Sequence, residues 1–391
     1  MTKQIAVFLT RGCSPPYSEG TINLAKLMAT SLLKRHKVEV VLLNMHYAIE
    51  EDLGPYRVED PLAHVRFNFS IPIIKRHAML HSATFPVKVI GSCFEFLQLG
   101  RLLVRINKIS QKKSTTLHLI NTFKAPALLF RKRDVTLITH VYSSRSFPLV
   151  SRVVLQRSDM LLVSSQRIMA KLARDYSGTI VHVYPPIDLD LFVPKHRPPN
   201  ITMNQRNKRI LYIGNLTDTR FPYEILLNLA SLLRYLKLEI EILAPLNCDN
   251  LRRSCEIKRQ ARKLGIDDLV SVRVKDITDE EKLLRLQEAY LFIFAPREDV
   301  AVVEPPLAVM EAMACGVPVV CSGVAALNEI VFNGYNGFVC DLNENTYEKV
   351  HELISSVVQD QSLRDKLSIN ARKTMEILCT RSIEKIGVLL R

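Results

Sequence analysis

The sequence predicts an α/β protein built from two open parallel sheets in tandem. Three observations carry that expectation. Apolar runs of strand length alternate with longer stretches of helical periodicity along most of the chain. The alternation is broken once, by the polar, proline-rich stretch PKHRPPNITMNQRNKR at 194–209, and then restarts. The length, 391 residues, suits two domains of ordinary size. The expected division is 1–197, 198–375, and a terminal helix at 376–391 free to cross back to the first domain.

The first strand is QIAVFLT, closed by the loop RGCSPPYSEG. The segment TINLAKLMATSLLKRH carries apolar residues at helical spacing, and KVEVVLL is the next strand. A β-α-β unit of this kind implies parallel pairing. Further strands are expected at AHVRFNFS, TTLHLIN, VTLITHV, DMLLVSS and IVHVYP. A helix follows at SQRIMAKLARDY, with Ser164 or Ser165 as its N-cap. The stretch FEFLQLGRLLVRINKISQKK, 94–113, sets Phe94, Leu97, Leu102, Ile106 and Ile109 beside Arg101, Arg105 and Lys108. It reads either as a basic-edged core helix or as an interfacial membrane helix.

The second series runs RILYIGNL (strand), PYEILLNLASLLRYL (helix), LEIEILAP (strand), NLRRSCEIKRQARKLG (helix), VSVRVK (strand), DEEKLLRLQEAY (helix) and LFIFAP (strand). The apolar stretch VVEPPLAVMEAMACGVPVV, 302–320, comes next. VPVVCS (strand), ALNEIVFN (helix), GFVCD (strand) and helices from 344 onward complete the series. Ligands of such sheets bind beyond the C-terminal ends of the strands. Two facing domains would put that place in the cleft between them.

Composition narrows the function. With 48% hydrophobic and 24% charged residues the chain is globular, neither disordered nor fibrous. No apolar run reaches the ~20 residues of a membrane-spanning helix. MTKQIAVFLTRGCSPP has too short an apolar core for a signal peptide, so a cytoplasmic location is expected. The 8 cysteines form no Cys-x-x-Cys pair, and the 10 histidines no His-Glu-x-x-His. Buried thiols are expected, and no metal. Net charge is +14, and the excess lies wholly in the first half: residues 1–200 hold 28 Lys and Arg against 13 Asp and Glu, residues 201–391 hold 25 against 26. A basic half suits nucleic acid, an anionic membrane or an anionic substrate. No zinc-finger, RNP-type or basic-zipper pattern is present, so no nucleic-acid partner is expected. No Gly-x-Gly-x-x-Gly follows the first strand, which argues against a nicotinamide dehydrogenase.

The stretch 302–320 carries the chemistry. Pro305 and Pro306 suit a helix start, and Gly316 followed by Pro318 suits its stop. Glu304 then lies at or just before the N-cap, where negative charge is favourable. Glu311 falls near mid-helix among apolar neighbours. A carboxylate there needs partners, and a sugar or ribose diol supplies two hydroxyl donors.

The run PPLAVMEAMACGVPVVCSGVAALNEIVFNGYNGFVCD resembles the C-terminal signature of retaining glycosyltransferases of GT-B fold, the large family 4 group. The resemblance implies two Rossmann-like domains facing a cleft, a nucleoside diphosphate sugar as donor substrate bound mostly by the second domain, and no cofactor or metal. By the same resemblance Glu311 holds the ribose hydroxyls, and Glu304 is the nearest match to a glutamate on the donor sugar. That family has seven residues between the two carboxylates where this chain has six. Strict alignment puts Val303 at the first position, with Glu298 and Asp299 as other acids in the loop. Leu307 and Ala308 keep N–H groups to offer an anion where Pro305 and Pro306 have none.

YIGNLTDTRFPYE resembles the family's diphosphate loop. Gly214 matches its glycine, Arg220 stands at its lysine, and Asn215 stands where an arginine is usual. GCSPPYSEGTIN resembles the loop after the first strand, with Gly20 at its glycine. His140 in LITHVYS matches a strand-end histidine near the reacting sugar, with His118 in LHLIN as the rival. The implied activity is retaining, metal-independent transfer of a sugar to a lipid-linked, glycan or other anionic acceptor, with the basic half resting on an anionic membrane surface. The departures at Asn215 and Glu304 motivate one alternative, a catalytically silent subunit that binds nucleotide or a partner; a GT-B sugar-nucleotide epimerase is a further one.

Overall fold

A computed structural model describes residues 5–10, 24, 27, 28, 39–44, 115–120, 134–143 and 149–195. In the second half it describes 208–221, 223, 224, 227, 229, 234–236, 238–298, 303–340 and 347–389. Of the expected features, the strand at 63–70, the helix at 94–113, Gly20 and Asp299 lie outside these residues. The chain divides into two compact units, Met1–Pro186 with Arg381–Arg391, and Ile187–Thr380.

In the first unit β1 (Ile5–Thr10), β2 (Glu39–Asn44), β3 (Thr115–Ile120), β4 (Val135–Val141), β5 (Met160–Val163) and β6 (Thr179–His182) form one six-stranded sheet. Its order is β2-β1-β3-β4-β5-β6, and every pairing is parallel. Helices α1 (Leu149–Gln156) and α2 (Gln166–Leu172) connect its later strands. Ser165, not Ser164, caps α2: its hydroxyl accepts from Ile168 N at 3.1 Å. Val141, Leu161, Val163, Ile168, Leu172 and Tyr176 pack as one apolar cluster between sheet and helix.

The second unit repeats the plan. Strands β7 (Arg209–Ile213), β8 (Glu239–Ala244), β9 (Val270–Val274), β10 (Leu291–Phe294), β11 (Val319–Cys321) and β12 (Gly337–Val339) lie in the order β12-β11-β10-β7-β8-β9, all parallel. Helices α3 (Cys248–Lys263), α4 (Asp279–Glu288), α5 (Leu307–Ala314), α6 (Tyr347–Gln359) and the part of α7 (Gln361–Val388) up to Thr380 complete it. After β9 the chain crosses back to lay β10 on the other side of β7, so the winding reverses between these two strands. All four residues of β10 are buried, as the unbroken apolar run LFIF requires of a strand covered on both faces.

Helix α5 ends as its sequence demands. Gly316 takes a left-handed φ of 69°, Gly316 N donates to Met313 O, and Val317 N donates to Ala312 O. Arg372 of α7 then donates to the carbonyls of Ala314, Phe192 and Leu189, which ties the segment after the first unit to the end of α5. The cysteines divide. Cys315, Cys321, Cys340 and Cys379 are buried free thiols, as expected, whereas Cys248 and Cys255 are exposed. Helix α3 turns Asn250, Ser254, Ile257 and Ala261 inward, so both of its cysteines face out.

The stretch ALNEIVFN departs from its expected helix. Only one 3-10 turn forms, Leu327–Glu329, after Ala325 and Ala326 adopt left-handed φ values of 55° and 58°. The buried Asn336 side chain takes over the backbone groups a helix would have paired: it accepts from Phe332 N at 2.7 Å and donates to Ile330 O at 2.9 Å. The NGYNGF run is therefore a packing device. A Cβ on Gly337 would overlap the Val319 carbonyl oxygen of the neighbouring strand, whereas one on Gly323 would meet only Val339 at 3.6 Å. Gly337→Ala is expected to destabilise the unit Ile187–Thr380 by about 1–3 kcal/mol. Gly323→Ala should stay within about 0.5 kcal/mol of the parent in urea unfolding.

Candidate functional site

In an open parallel sheet the loops that leave adjacent strands on opposite faces open a crevice where the winding reverses. In the second unit that point lies between β7 and β10. After their C-terminal ends come 214–221 and, among the described residues, 295–298 and 303–306. Arg297 N donates to Thr219 O at 2.8 Å, so the two loops are joined there by backbone. Gly214, Asn215, Arg220, Leu307, Ala308 and Glu311 all fall on these segments or on the helix that follows.

The loop after β7 is shaped by Tyr212. Its hydroxyl donates to Asn215 O at 2.8 Å, and a Cβ on Gly214 would press on that hydroxyl at 2.7 Å. Burial pushes the Tyr212 phenol well up, and the nearby Arg220 guanidinium opposes the shift. Arg220 is half-buried at the end of a turn in which its N–H donates to Thr217 O. Asn215 is differently engaged. Its Oδ1 accepts from Asn250 Nδ2 at 3.0 Å and from Asn247 Nδ2 at 3.4 Å, an amide cluster at the start of α3. Asn250 Oδ1 in turn accepts from Leu216 N at 2.9 Å.

Helix α5 begins one residue later than the prolines suggest, with Pro306 as N-cap. Leu307 and Ala308 are half-buried, while Val309 through Ala314 are buried. The first N–H groups of a helix, here those of Leu307 and Ala308, have no intrahelical acceptor. Glu304 lies two residues before the N-cap with no accessible surface, and Val303 is buried beside it. Glu298 is exposed. The carboxylates considered for one place thus sit in two environments, Glu304 enclosed and Glu298 open to solvent.

Glu311 is buried, and its Oε1 lies 2.9 Å from Lys282 Nζ. Lys282 belongs to the first turn of α4, which Thr278 caps by accepting from Glu281 N. Its ammonium also lies 3.2 Å from Asp279 Oδ1 and 5.1 Å from the Phe192 ring centre. Burial raises the Glu311 carboxyl above its ordinary range, against the pull of the Lys282 ammonium. Burial would lower Lys282, but the Glu311 and Asp279 carboxylates outweigh it and hold the amine above its ordinary value. Sequence reasoning missed this lysine: nothing in a surface-type helix start points to a partner 29 residues away.

In the first unit the two rival histidines are joined. Parallel register sets His118 opposite Ile138, so His118 and His140 share one face of adjacent strands. His118 Nδ1 and His140 Nε2 are 2.9 Å apart, and His140 Nδ1 and the Tyr142 hydroxyl 3.0 Å. All three residues are buried. Burial lowers His118 to about 3 and lowers His140 well below its usual value, the second shift deepened by His118; burial raises the Tyr142 phenol. Both rings are neutral near pH 7. His140 and Tyr142 also line a small pocket with Leu162, Tyr184, Pro185 and Ile386. Among the described residues, no helix is long and apolar enough to cross a membrane.

Residues 197–374 match the family Glycosyl transferases group 1. The chain is 28% identical over 206 residues to D-inositol 3-phosphate glycosyltransferase 2 of Catenulispora acidiphila, a match covering 47% of this chain and 44% of that protein. It therefore spans about half the length of that curated relative. Among solved structures it resembles sucrose-phosphate synthase from Thermosynechococcus elongatus, with a TM-score of 0.72 at 15% identity over 99% of this chain and 97% of that one. It also resembles Anabaena HepE in complex with UDP and glucose, with a TM-score of 0.68 at 14% identity over 99% and 98%. Identities this low speak to the fold alone: two parallel-sheet α/β domains of the GT-B kind.

The histidine pair generates a pH dependence. Both rings are held neutral in the folded unit, while an unfolded chain takes up protons below a pH of about 6.5. Stability is therefore complete above that pH and falls as pH is lowered through it. The expected slope is up to about 1.4 kcal/mol per pH unit for each histidine. Urea unfolding of the first unit between about pH 7.5 and about pH 5.5 checks it, and His118→Leu should flatten the slope by about one proton's share.

Proposed function

We propose that this chain, whose second half carries the match to Glycosyl transferases group 1, is a glycosyltransferase that uses a nucleoside diphosphate sugar as donor. What supports the reading is that one cation, the first N–H groups of α5 and one carboxylate lie on the two segments that follow the paired strands β7 and β10. Arg220 and the N–H groups of Leu307 and Ala308 suit a diphosphate. Glu311, on the same helix, suits the ribose.

The chemistry follows from charge. Breaking the bond between sugar and diphosphate leaves negative charge on the leaving oxygens. Positive groups fixed beforehand beside that charge lower the barrier without reorganising. Arg220 and the α5 N–H groups fill that role in this reading, with Gly214 allowing the loop to approach and Gly20 proposed to do the same from the first domain. Glu304, fully enclosed, bears on the donor sugar through the shape of the α5 entry, and exposed Glu298 is the acid open to a ligand. His140 acts as a neutral ring of fixed orientation beside the reacting sugar, not as a proton donor, because both of its ring nitrogens are engaged within the protein.

The same reading extends to a retaining course without a metal, to a lipid-linked, glycan or other anionic acceptor on the basic first domain, and to a cytoplasmic protein peripheral on an anionic membrane. The charge of residues 1–200 supports the last two. One observation favours a silent, nucleotide-binding subunit instead: Asn215, at the place of a usual arginine, is consumed in an amide cluster. Release of nucleoside diphosphate from a sugar donor separates the two.

A thermal-shift screen of nucleotides and nucleotide sugars is expected to find a stabilising nucleoside diphosphate. Glu311→Ala should weaken it by about tenfold or more, the worth of a charge-assisted hydrogen bond. Arg220→Ala should erase the preference for diphosphate over the bare nucleoside. An unchanged shift in Glu311→Ala would refute the ribose assignment. Vesicles of anionic lipid should bind the chain at low salt and release it as salt rises.

A further inference from the structure

Lys282 matches none of the residues expected to hold a nucleotide, yet its ammonium sits against the carboxylate assigned to the ribose. It has two carboxylate partners and an aromatic ring near it. Glu311 Oε1 lies at 2.9 Å, Asp279 Oδ1 at 3.2 Å, and the Phe192 ring lies 5.1 Å away. Among the described residues Glu311 Oε1 takes this one bond and Oε2 takes none. The pair is neither deeply sealed nor open: the lysine side chain is 16% exposed and the glutamate side chain 11%.

The lysine is held from several sides. Helix α4 has its start capped by Thr278 and its far end pinned by ion pairs, Arg285 to Glu288 and Glu288 to Arg209, which also bonds buried Glu241. Phe192 is held in turn by Arg372 through its carbonyl. Such an ammonium cannot swing away from Glu311 without leaving two other partners.

We infer that Lys282 is a positioning residue. It grips Glu311 by one oxygen and keeps the carboxylate charged and oriented, so that the other oxygen accepts a ribose hydroxyl of a nucleoside diphosphate. The inference rests on the ribose reading of Glu311 proposed above. A carboxylate this enclosed and without a counter-charge takes up a proton readily, and a protonated acid is a weaker acceptor. Among the described residues the charged or titratable groups that act on Glu311 are Lys282 and Asp279 from α4 and Cys315 at the end of its own helix, with Arg372 from α7 beyond Cys315. Lys282 alone among them bonds the carboxylate.

The test is calorimetric binding to the full-length chain of UDP, GDP and ADP, using whichever binds most tightly. Wild type, Lys282→Met, Lys282→Gln, Lys282→Arg and Glu311→Ala are compared from about pH 5.5 to about pH 8.5. Lys282→Met and Lys282→Gln are expected to weaken binding about tenfold near neutral pH, with the loss shrinking as pH rises and Glu311 ionises unaided. Lys282→Arg should stay within about threefold of wild type. Two neutral replacements of different polarity guard against a variant that fails to fold. A loss equal at every pH means a merely structural lysine and overturns the inference. Tighter binding in Lys282→Met means a competitor of the ribose and overturns it too. If Glu311→Ala binds like wild type, the ribose reading itself fails. If Glu311→Ala loses binding while the Lys282 variants do not, that reading stands and the role of Lys282 falls.

Discussion

Parallel pairing is the constraint on which the rest of this protein depends. Strands that all run one way bring all their C-terminal ends to one edge of a sheet, and the connections must cross back over a face. Where the crossing changes face, two loops separate and leave a crevice. In the second unit that happens between β7 and β10. The loop of Gly214 and Arg220 and the helix of Glu311 follow strands that are hydrogen-bonded neighbours there.

The helix after β10 must satisfy two demands at once. Its apolar residues belong in the core, and six of its eight residues are buried. One of the six is a carboxylate, and an ionised carboxylate in such a place needs a partner. The partner comes from α4, which precedes β10 in sequence and packs in the same unit. Burial and the lysine act on Glu311 in opposite senses: burial raises its carboxyl above the ordinary range and the Lys282 ammonium opposes the rise. The same logic runs in reverse in the first unit. There burial lowers the two histidines and raises the tyrosine, which favours the neutral form of all three.

Several residues of the family-like stretches are engaged or enclosed by the protein's own groups. Asn336 and Gly337 in the NGYNGF run shape a loop and a strand contact, one by replacing backbone hydrogen bonds and the other by having no side chain. Asn215 is absorbed by Asn247 and Asn250. Glu304, two residues from the α5 N-cap, is enclosed by protein. A lone polar residue in a sequence does not reveal whether its neighbours in space will claim it.

The sequence by itself determined the class of fold, the two series of alternating strands and helices, the strand cores, and the glycine stop of α5. These follow from periodicity, turn chemistry and caps, which act over a few residues. It also singled out Arg220, Leu307, Ala308 and Glu311 as residues of one region. The tertiary structure alone decided that β10 lies beside β7, that Lys282 reaches Glu311 across 29 positions, that His118 and His140 are partners and not rivals, and that ALNEIVFN yields its helix to the Asn336 side chain. Each of these is a contact between residues distant in the chain. Local propensity carries no record of such contacts, because their energy exists only once the sheet has brought the strands together.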